Sequence, residues 1–108
     1  MQHIGIDEYV IDVLLPDLVG HDHSPAAFLV YLFLWAELYR SEEKRVAISL
    51  QRLAEGTGLS KSAVQAALRL LKRRGLVQIT RSSATAVPEY ALVRHWLRRR
   101  ARLPQHSS

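Results

Sequence analysis

Residues 57–81 read TGLSKSAVQAALRLLKRRGLVQITR, and two glycines, Gly58 and Gly75, bracket the central part of this run. The run begins polar, becomes apolar, ends basic and passes into an extended-looking stretch. Within it, apolar residues recur at i, i+3, i+4 and i+7, which is the spacing of one buried stripe on an amphipathic helix. The stripe comprises Val64, Ala67, Leu68 and Leu71. The run therefore predicts a core helix, whose other face needs a separate explanation.

The opposite face of this predicted helix is polar. Its residues are Ser62, Gln65, Arg69 and Lys72, with Lys61 and Arg73 beside them. An amide pairs with adenine and a guanidinium with guanine, so this face carries groups that read base edges in a major groove. Ser60 is the expected N-cap, and the start of the helix offers free N–H groups to a phosphate. Without its surroundings, the face is more simply a solvated helix surface.

Charge is distributed unevenly along the chain. The net charge is +5, but residues 1–40 hold six acids and one base, whereas residues 41–108 hold four acids and fourteen bases. A basic excess of this size suggests that the second part faces a polyanion, and the first part has another role. Charge alone leaves nucleic-acid binding undecided, because many protein surfaces are lopsided.

The composition is that of one ordinary globular domain, and we expect residues 1–108 to form it. The absence of cysteine excludes a disulfide framework, a thiolate zinc site and a cysteine nucleophile. The first ten residues lack the apolar segment of a signal peptide. The most apolar run, residues 26–36, is much shorter than the ~20 residues that cross a bilayer. We therefore expect a cytoplasmic protein without membrane contact.

Helical periodicity before residue 45 predicts two helices. Residues 6–15 are expected to form a short amphipathic helix that stops near Pro16, followed by a loop rich in His, Asp and Gly. Ser24 is the expected N-cap of a second helix, which has proline in its first turn and extends to about Arg40.

Downstream of residue 44, the predicted order is strand, helix, turn, helix, hairpin. A short strand at residues 45–48 precedes a helix over residues 50–57, for which Ser49 is the expected cap. The helix discussed first follows, ending near Arg74. Residues 76–81 and 88–93 then look extended and form a hairpin with a flexible tip.

A last helix is expected from Val93 onwards. Trp96, Leu97 and Ala101 mark its apolar side, and Pro104 ends it. Arginines surround its outside at Arg94, Arg98, Arg99 and Arg102.

The segment SLQRLAEGTGLSKSAVQAALRLLKRRGLV, residues 49–77, resembles the core of winged helix-turn-helix DNA-binding proteins. MarR-type and GntR-type regulators and plasmid or phage replication initiators share this pattern. LAEGTGLS resembles the first helix and turn of these proteins, and SAVQAALRLLKRRGLV resembles the second helix and the entry to the wing. The resemblance covers roughly residues 45–93. It implies a mainly α fold with a small β-hairpin wing, extended here by additional N-terminal and C-terminal helices.

The resemblance also implies a mode of binding in which the second helix enters the major groove and the wing touches backbone or minor groove. The residues assigned to the helix are Ser60, Lys61, Ser62, Gln65, Arg69, Lys72 and Arg73. Those assigned to the wing are Arg81, Ser82, Ser83 and Thr85. The turn, the wing and the basic excess together favour DNA binding over a merely solvated face.

The helix over residues 25–40 has almost no polar face, and a helix that is apolar all round must be covered on every side. Because so small a chain covers such a helix only with difficulty, we expect a homodimer. Residues 1–44 would carry the interface, joined by the C-terminal helix of residues 94–108. The expected interface residues are Phe28, Tyr31, Leu32, Trp35 and Trp96.

Other chemistry finds little support in the sequence. His21 and His23 flank Asp22, but no further ligands stand at a recognisable metal-binding spacing. No nucleophile elbow or Gly-rich phosphate loop is present, so we expect neither an enzyme nor a cofactor. We predict a small prokaryotic transcriptional regulator that binds double-stranded DNA sequence-specifically as a dimer. Two alternatives stay open: a winged-helix protein-interaction module, and a replication or partition protein.

Overall fold

The structure, a computed structural model, describes residues 2–97 and contains three α-helices and a three-stranded antiparallel sheet. Two π-helical segments, Val10–Leu14 and Asp17–His21, precede these elements. The helices are α1 (Pro25–Ser41), α2 (Leu50–Thr57) and α3 (Lys61–Arg73), and the strands are β1 (Val46–Ala47), β2 (Val77–Thr80) and β3 (Glu89–Leu92). This is the architecture of a winged helix, and it confirms the predicted mainly α fold with a small hairpin.

Each α-helix begins at the serine expected from the sequence. The hydroxyl oxygens of Ser24, Ser49 and Ser60 accept a hydrogen bond from the backbone N–H three residues later, at 3.1 Å in each case. Each bond satisfies one of the N–H groups that a helix start leaves without an intrahelical partner. The three predicted N-caps are confirmed.

Two glycines reverse the chain after α2 and α3. Gly58 and Gly75 have φ angles of +77° and +70°, a left-handed conformation that side-chain-bearing residues rarely adopt. After α3, the Leu76 N–H donates to the Leu71 carbonyl at 2.9 Å, which closes the helix end and directs the chain into β2. Both predicted helix ends are confirmed.

The hairpin has one buried face and one solvent-facing face. β3 lies between β1 and β2, with Val77 opposite Leu92 and Ile79 opposite Tyr90. Because successive side chains of a strand alternate, these four residues share the face that packs on the helices. The intervening positions, which include Gln78 and Ala91, point to the other side.

The N-terminal region departs from its prediction. The backbone stays helical through Pro16, and the expected loop begins instead with the second π-helical segment. Pro16 is the N-cap residue of that segment and has helical backbone angles, with φ −65° and ψ −30°. Val10, Leu14 and Leu18 are all buried, so packing on the core favours the continued helix.

Helix α1 forms the centre of the core, because α2, α3, the sheet and the second π-helical segment all pack against it. Six of its residues are buried: Ala27, Phe28, Val30, Tyr31, Leu34 and Trp35. The chain thus covers by itself most of a helix that the sequence suggested would need a partner. Of the residues expected at a dimer interface, Phe28, Tyr31, Trp35 and Trp96 are buried within one chain, and Leu32 is half-buried.

The two ends of the described chain meet on this core. The Trp35 Nε1–H donates to the Gly5 carbonyl at 2.7 Å, and the ring of Trp96 stacks on Tyr9 with centroids 4.5 Å apart. One Asp7 carboxylate oxygen accepts hydrogen bonds from Arg94 and from the Trp96 indole. The predictions for Arg98, Arg99, Arg102 and Pro104 lie outside the described residues.

Candidate nucleic-acid interface

The side chains of α3 divide between a buried apolar face and an exposed polar face, as the sequence predicted. Its apolar stripe is buried and consists of Val64, Ala67, Leu68 and Leu71. The polar residues of the helix are exposed: Lys61, Ser62, Gln65, Arg69, Lys72 and Arg73. The helix therefore presents basic side chains and one amide to solvent on the face turned away from α1.

The start of α3 is organised by two serines. Ser60 caps the helix, and its hydroxyl lies 3.2 Å from the hydroxyl of Ser62. The Ala63 and Val64 N–H groups are bound to Ser60, whereas the N–H groups of Lys61 and Ser62 have no intrahelical acceptor. Two backbone donors thus point out of a helix end that carries a partial positive charge, and this arrangement suits a phosphate oxygen.

Of the arginines near the end of α3, one is paired with acidic side chains and two are not. Arg74, the C-cap residue, forms ion pairs with Asp17 and Asp22, which attach α3 to the second π-helical segment. The hydrogen bond to Asp17 and the nearby acidic charges raise the pKa of the Arg74 guanidinium. Within residues 2–97, by contrast, Arg69 and Arg73 form no ion pair.

Asp22 is held by two neighbours. Its carboxylate accepts from His21 at 3.1 Å through one oxygen and binds Arg74 through the other. The hydrogen bond from His21 and the charge of Arg74 lower the pKa of Asp22, although partial burial opposes them. The His-Asp-His motif that sequence analysis weighed as a metal site therefore includes a carboxylate already engaged with an arginine.

The acids of the first forty residues pair with bases that lie off the outer face of α3, and sequence analysis did not predict these pairs. Asp7 pairs with Arg94 at 2.6 Å, and Glu37 pairs with Arg52 at 3.2 Å. Asp17 and Asp22 pair with Arg74, as described above. Four of the six acids of residues 1–40 thus bind bases of the second part, and the basic side chains on the outer face of α3 keep their charge uncompensated within residues 2–97.

The wing, residues 81–88 between β2 and β3, carries the other predicted contacts. Arg81, Ser82, Ser83 and Thr85 are all exposed. The Arg81 guanidinium donates to the Ala84 carbonyl at 3.4 Å, and the Ala86 N–H donates to the Ser83 carbonyl at 3.2 Å. The tip of the wing thus forms a hydrogen-bonded turn. The two sets of predicted DNA contacts lie on different elements, one on the wing and one on α3.

A further cation at the base of the wing was missed by sequence analysis. Arg45, immediately before β1, is exposed and donates to the Thr80 hydroxyl on β2 at 3.4 Å. It lies on the solvent-facing side of the sheet. The alternation of side chains along the predicted strand, in which Val46 faces the core, is the signal that could have placed Arg45 on that side.

Two other kinds of site, a metal-binding cluster and a membrane-spanning helix, are absent from the part of the chain that the structure describes. Among residues 2–97, no three side chains of the metal-binding types converge. No helix in this range combines the length and the apolar character that a membrane span requires.

Comparison with known proteins points to one family. The model of the MarR family matches residues 36–86, which run from α1 through α2, α3 and β2 into the wing and make up a little under half of the chain. No curated protein matches the chain. Among solved structures, the chain is similar to a mutant of ZitR from Lactococcus lactis in the apo form, with 18% identity and a TM-score of 0.43. The match covers 95% of this chain and 80% of ZitR, but a TM-score of that size supports no inference.

Proposed function

We propose that this winged helix-turn-helix protein, whose residues 36–86 match the MarR family, binds double-stranded DNA sequence-specifically and regulates transcription. The family match supports a transcriptional regulator of the winged-helix type. In this proposal α3 lies in the major groove, and the wing contacts the phosphate backbone or the minor groove. The protein acts in a prokaryotic cytoplasm, whose reducing conditions suit a chain without cysteine.

The observation that carries the proposal is the outer face of α3. Its bases have no acidic partner within residues 2–97, although four N-terminal acids pair with bases elsewhere in the chain. Gln65 and Arg69 lie one helical turn apart on this exposed face, and they are the residue types that read adenine and guanine. Lys61, Lys72 and Arg73 provide charge for phosphates around them.

We further propose that the protein acts as a homodimer, with the N-terminal segments in the interface. Since four of the five expected interface side chains are buried within one chain, other residues have to form most of the contact. Four large apolar side chains of the first thirty residues are 39–45% exposed: Ile6, Ile11, Val13 and Leu29. A dimer would hold two copies of α3 about one helical turn of DNA apart, on a roughly palindromic site.

The salt dependence of DNA affinity tests the proposal. Each phosphate contact releases counterions, so about four contacts per protomer predict a slope of log K against log salt of about −7 for a dimer. Mobility-shift titrations of the full chain on random duplex from low to physiological salt measure this slope. No binding at low salt would contradict the DNA proposal and favour a module that binds an acidic protein partner.

Substitution of Arg69 separates base reading from phosphate contact. Arg69→Ala should weaken binding to a selected sequence by about tenfold or more, and binding to random duplex much less, because a bidentate arginine–guanine pair contributes about 1–3 kcal/mol of discrimination. Arg52→Ala is the matched control, since Arg52 is also exposed but lies on α2 and pairs with Glu37. Equal losses on both DNAs would make Arg69 a phosphate contact.

Light scattering tests the dimer. The expected mass is about twice that of the 12.3 kDa chain. Ile11→Asp and Val13→Asp should shift the mass toward the monomer if the N-terminal segments form the interface, whereas a wild-type monomer at all concentrations would refute the dimer.

A further inference from the structure

Arg74 lies at the junction between α3 and the strand that leads into the wing. It is the C-cap residue of α3, its backbone N–H donates to the Leu70 carbonyl at 2.9 Å, and Gly75 reverses the chain directly after it. Its guanidinium binds the carboxylates of Asp17 and Asp22, which lie 57 and 52 residues earlier in the sequence. We call these three side chains the arginine clamp. The clamp connects the end of α3 to the N-terminal region.

The second π-helical segment brings the two carboxylates of the clamp together. The Asp22 N–H donates to the Asp17 carbonyl at 2.9 Å, a bond that spans five residues as in a π-helix. One oxygen of each carboxylate then binds a different terminal nitrogen of Arg74. A guanidinium is planar and its donors are fixed in direction, so it can hold two carboxylates in one defined geometry.

The clamp is more shielded from solvent than the other arginine ion pairs among residues 2–97. The Arg74 side chain is 31% exposed, whereas the arginines of the other ion pairs are 39–55% exposed. Ion pairs at exposed positions contribute little, because water and salt screen them. Shielding and two carboxylate partners make the clamp the ion pair in this range that is best suited to hold two elements in a fixed relation.

The rest of α3 is held mainly by apolar packing on its neighbours, above all on α1. Burial of apolar surface is favourable but non-directional, whereas a charge-assisted hydrogen bond depends on direction. Side chains that form a binding site have to be held within about 0.5 Å and about 10–20° of the productive geometry. A directional contact at the end of α3 therefore supplies what the apolar stripe does not.

We propose that Arg74 is a positioning residue for DNA recognition, because the clamp fixes the orientation in which α3 presents Gln65 and Arg69 to base edges. The inference rests on the proposed function, since it requires α3 to lie in the major groove. Arg74 itself makes no DNA contact in this arrangement, because its guanidinium is occupied by the two acids. The clamp also joins α3 to the N-terminal region of the proposed dimer contact, so it relates the two copies of α3 to the dimer.

Two variants break the clamp with opposite changes in charge. Arg74→Gln lowers the net charge by one, whereas the double variant Asp17→Asn/Asp22→Asn raises it by two. For each full-length variant, mobility shifts measure the dissociation constants for a duplex selected by the wild type and for random duplex. The ratio of these constants is the specificity. A partly unfolded variant loses affinity for both duplexes equally, so a loss of stability alone leaves the ratio unchanged.

Both clamp variants should lower the specificity about tenfold, because a tilted or rotated α3 loses base contacts and keeps phosphate contacts. The double variant should bind random duplex more tightly than the wild type does, since it frees Arg74 for a phosphate and removes two negative charges. Arg74→Gln should bind random duplex no more tightly than the wild type. If charge alone mattered, the affinities of the two variants would change in opposite directions at an unchanged ratio.

Two matched controls change the charge without breaking the clamp. Arg73→Gln removes the neighbouring arginine, which forms no ion pair among residues 2–97, and should weaken binding to both duplexes in proportion. Glu8→Gln/Asp12→Asn raises the net charge by two at exposed acids that form no ion pair in the same range. Both controls should keep the specificity within about twofold of wild type.

Circular dichroism establishes that each variant is folded. If Arg74→Gln, which leaves two acids unpaired, does not fold, Asp17→Asn/Asp22→Asn decides the question by itself. The inference is overturned if a folded clamp variant keeps the wild-type specificity, or if the controls lower it as much. A wild type that binds no duplex, or for which no preferred duplex can be selected, would contradict the proposed function and this inference with it. Specific binding by the wild type with an unchanged ratio in the clamp variants would contradict the positioning role alone.

Discussion

Helices α1 and α3 both pack in the core, but they differ in how apolar residues are distributed around the helix axis. In α3, apolar and polar residues alternate with helical period, so one stripe is buried and the opposite face stays exposed. Helix α1 is apolar on nearly every side, and its sequence pattern alone does not say which face meets which neighbour. Its neighbours surround it instead, with α3, α2, the sheet and the N-terminal segment each covering part of the surface.

A functional surface can be located from sequence where a helix leaves one face free of packing. A helix with a clear apolar stripe has a free face that is available for a ligand, and α3 has one. A helix without a stripe invites the prediction of a partner chain, but α1 shows that additional elements of the same chain can cover it. Phe33 is an example, because the half-buried ring on α1 is covered by the Arg52 guanidinium at 5.1 Å from its centroid.

The largest expected effect comes from the buried stripe of α3. Leu71 is fully buried, so Leu71→Ala should lower the free energy of unfolding by about 2–5 kcal/mol through lost burial and a cavity. Arg69→Ala, two residues earlier on the exposed face, should change it by less than about 0.5 kcal/mol. Urea denaturation of both variants measures the contrast. Similar losses in the two variants would mean that the outer face of α3 is packed rather than free.

A smaller effect is expected where α2 approaches α1. A Cβ atom added at Gly56 would overlap the Phe33 ring and lie 2.9 Å from the Arg52 guanidinium. Gly56→Ala should therefore lower the free energy of unfolding by about 1–3 kcal/mol, although alanine is the better helix former. In a Phe33→Ala background, the same change should become neutral or stabilising. A loss that is unchanged by Phe33→Ala would show that α1 does not cause it.

Gly20→Ala is the matched control for this experiment. Gly20 lies in the second π-helical segment, and a Cβ atom there would meet nothing within 4 Å. This variant should be neutral or slightly more stable than wild type, because alanine restricts the unfolded chain.

Tyr31 tests how well α1 is covered by its own chain. Its hydroxyl is buried without a hydrogen-bond partner among residues 2–97, and burial raises the pKa of this phenol well above its usual range. Tyr31→Phe removes an unsatisfied polar group and should leave the free energy of unfolding within about 1 kcal/mol of wild type, or increase it. Thermal denaturation measures the change. A clear loss of stability would reveal a partner for this hydroxyl.

The smallest effect is expected from the attachment of α3 to the N-terminal region. The pKa of Asp22 is lower in the folded chain than its ordinary value of 3.8, so the stability that Asp22 contributes is present above that value. It is lost as the pH falls through the lower, folded-state pKa.

Asp22→Asn should therefore lower the melting temperature at pH 6, and the difference from wild type should shrink below pH 3.8. Asp12→Asn, at an exposed acid, should show no such difference. A difference that stays constant with pH would exclude the ionised carboxylate as its source.

Local sequence signals predicted most elements between residues 24 and 93. Serine caps, glycines in the left-handed conformation and hydrophobic periodicity depend on a few neighbouring residues, so they can be read without the tertiary structure. They predicted α1, α2 and α3 to within one or two residues. The strands came out shorter than expected because pairing with β3, rather than propensity, sets where each strand ends.

Ion pairs between residues far apart in the sequence were not predicted. The sequence shows the uneven charge of the two parts of the chain. It does not show which charges pair, as Asp7 does with Arg94 and as Asp17 and Asp22 do with Arg74. The continuation of the helix through Pro16 was equally invisible, since buried Leu18 and its neighbours favour it against the local signal.

The sequence by itself determined the helix-turn-helix, the wing and the division of α3 into a buried stripe and a polar face, because each rests on periodicity or on capping within a few residues. Only the tertiary structure decided which cations are left without an acidic partner, which side chains cover α1 and which acids Arg74 binds. Those features depend on contacts between residues far apart in the chain. The energy of such contacts is set by distance and burial in the fold, and neither is encoded in local spacing.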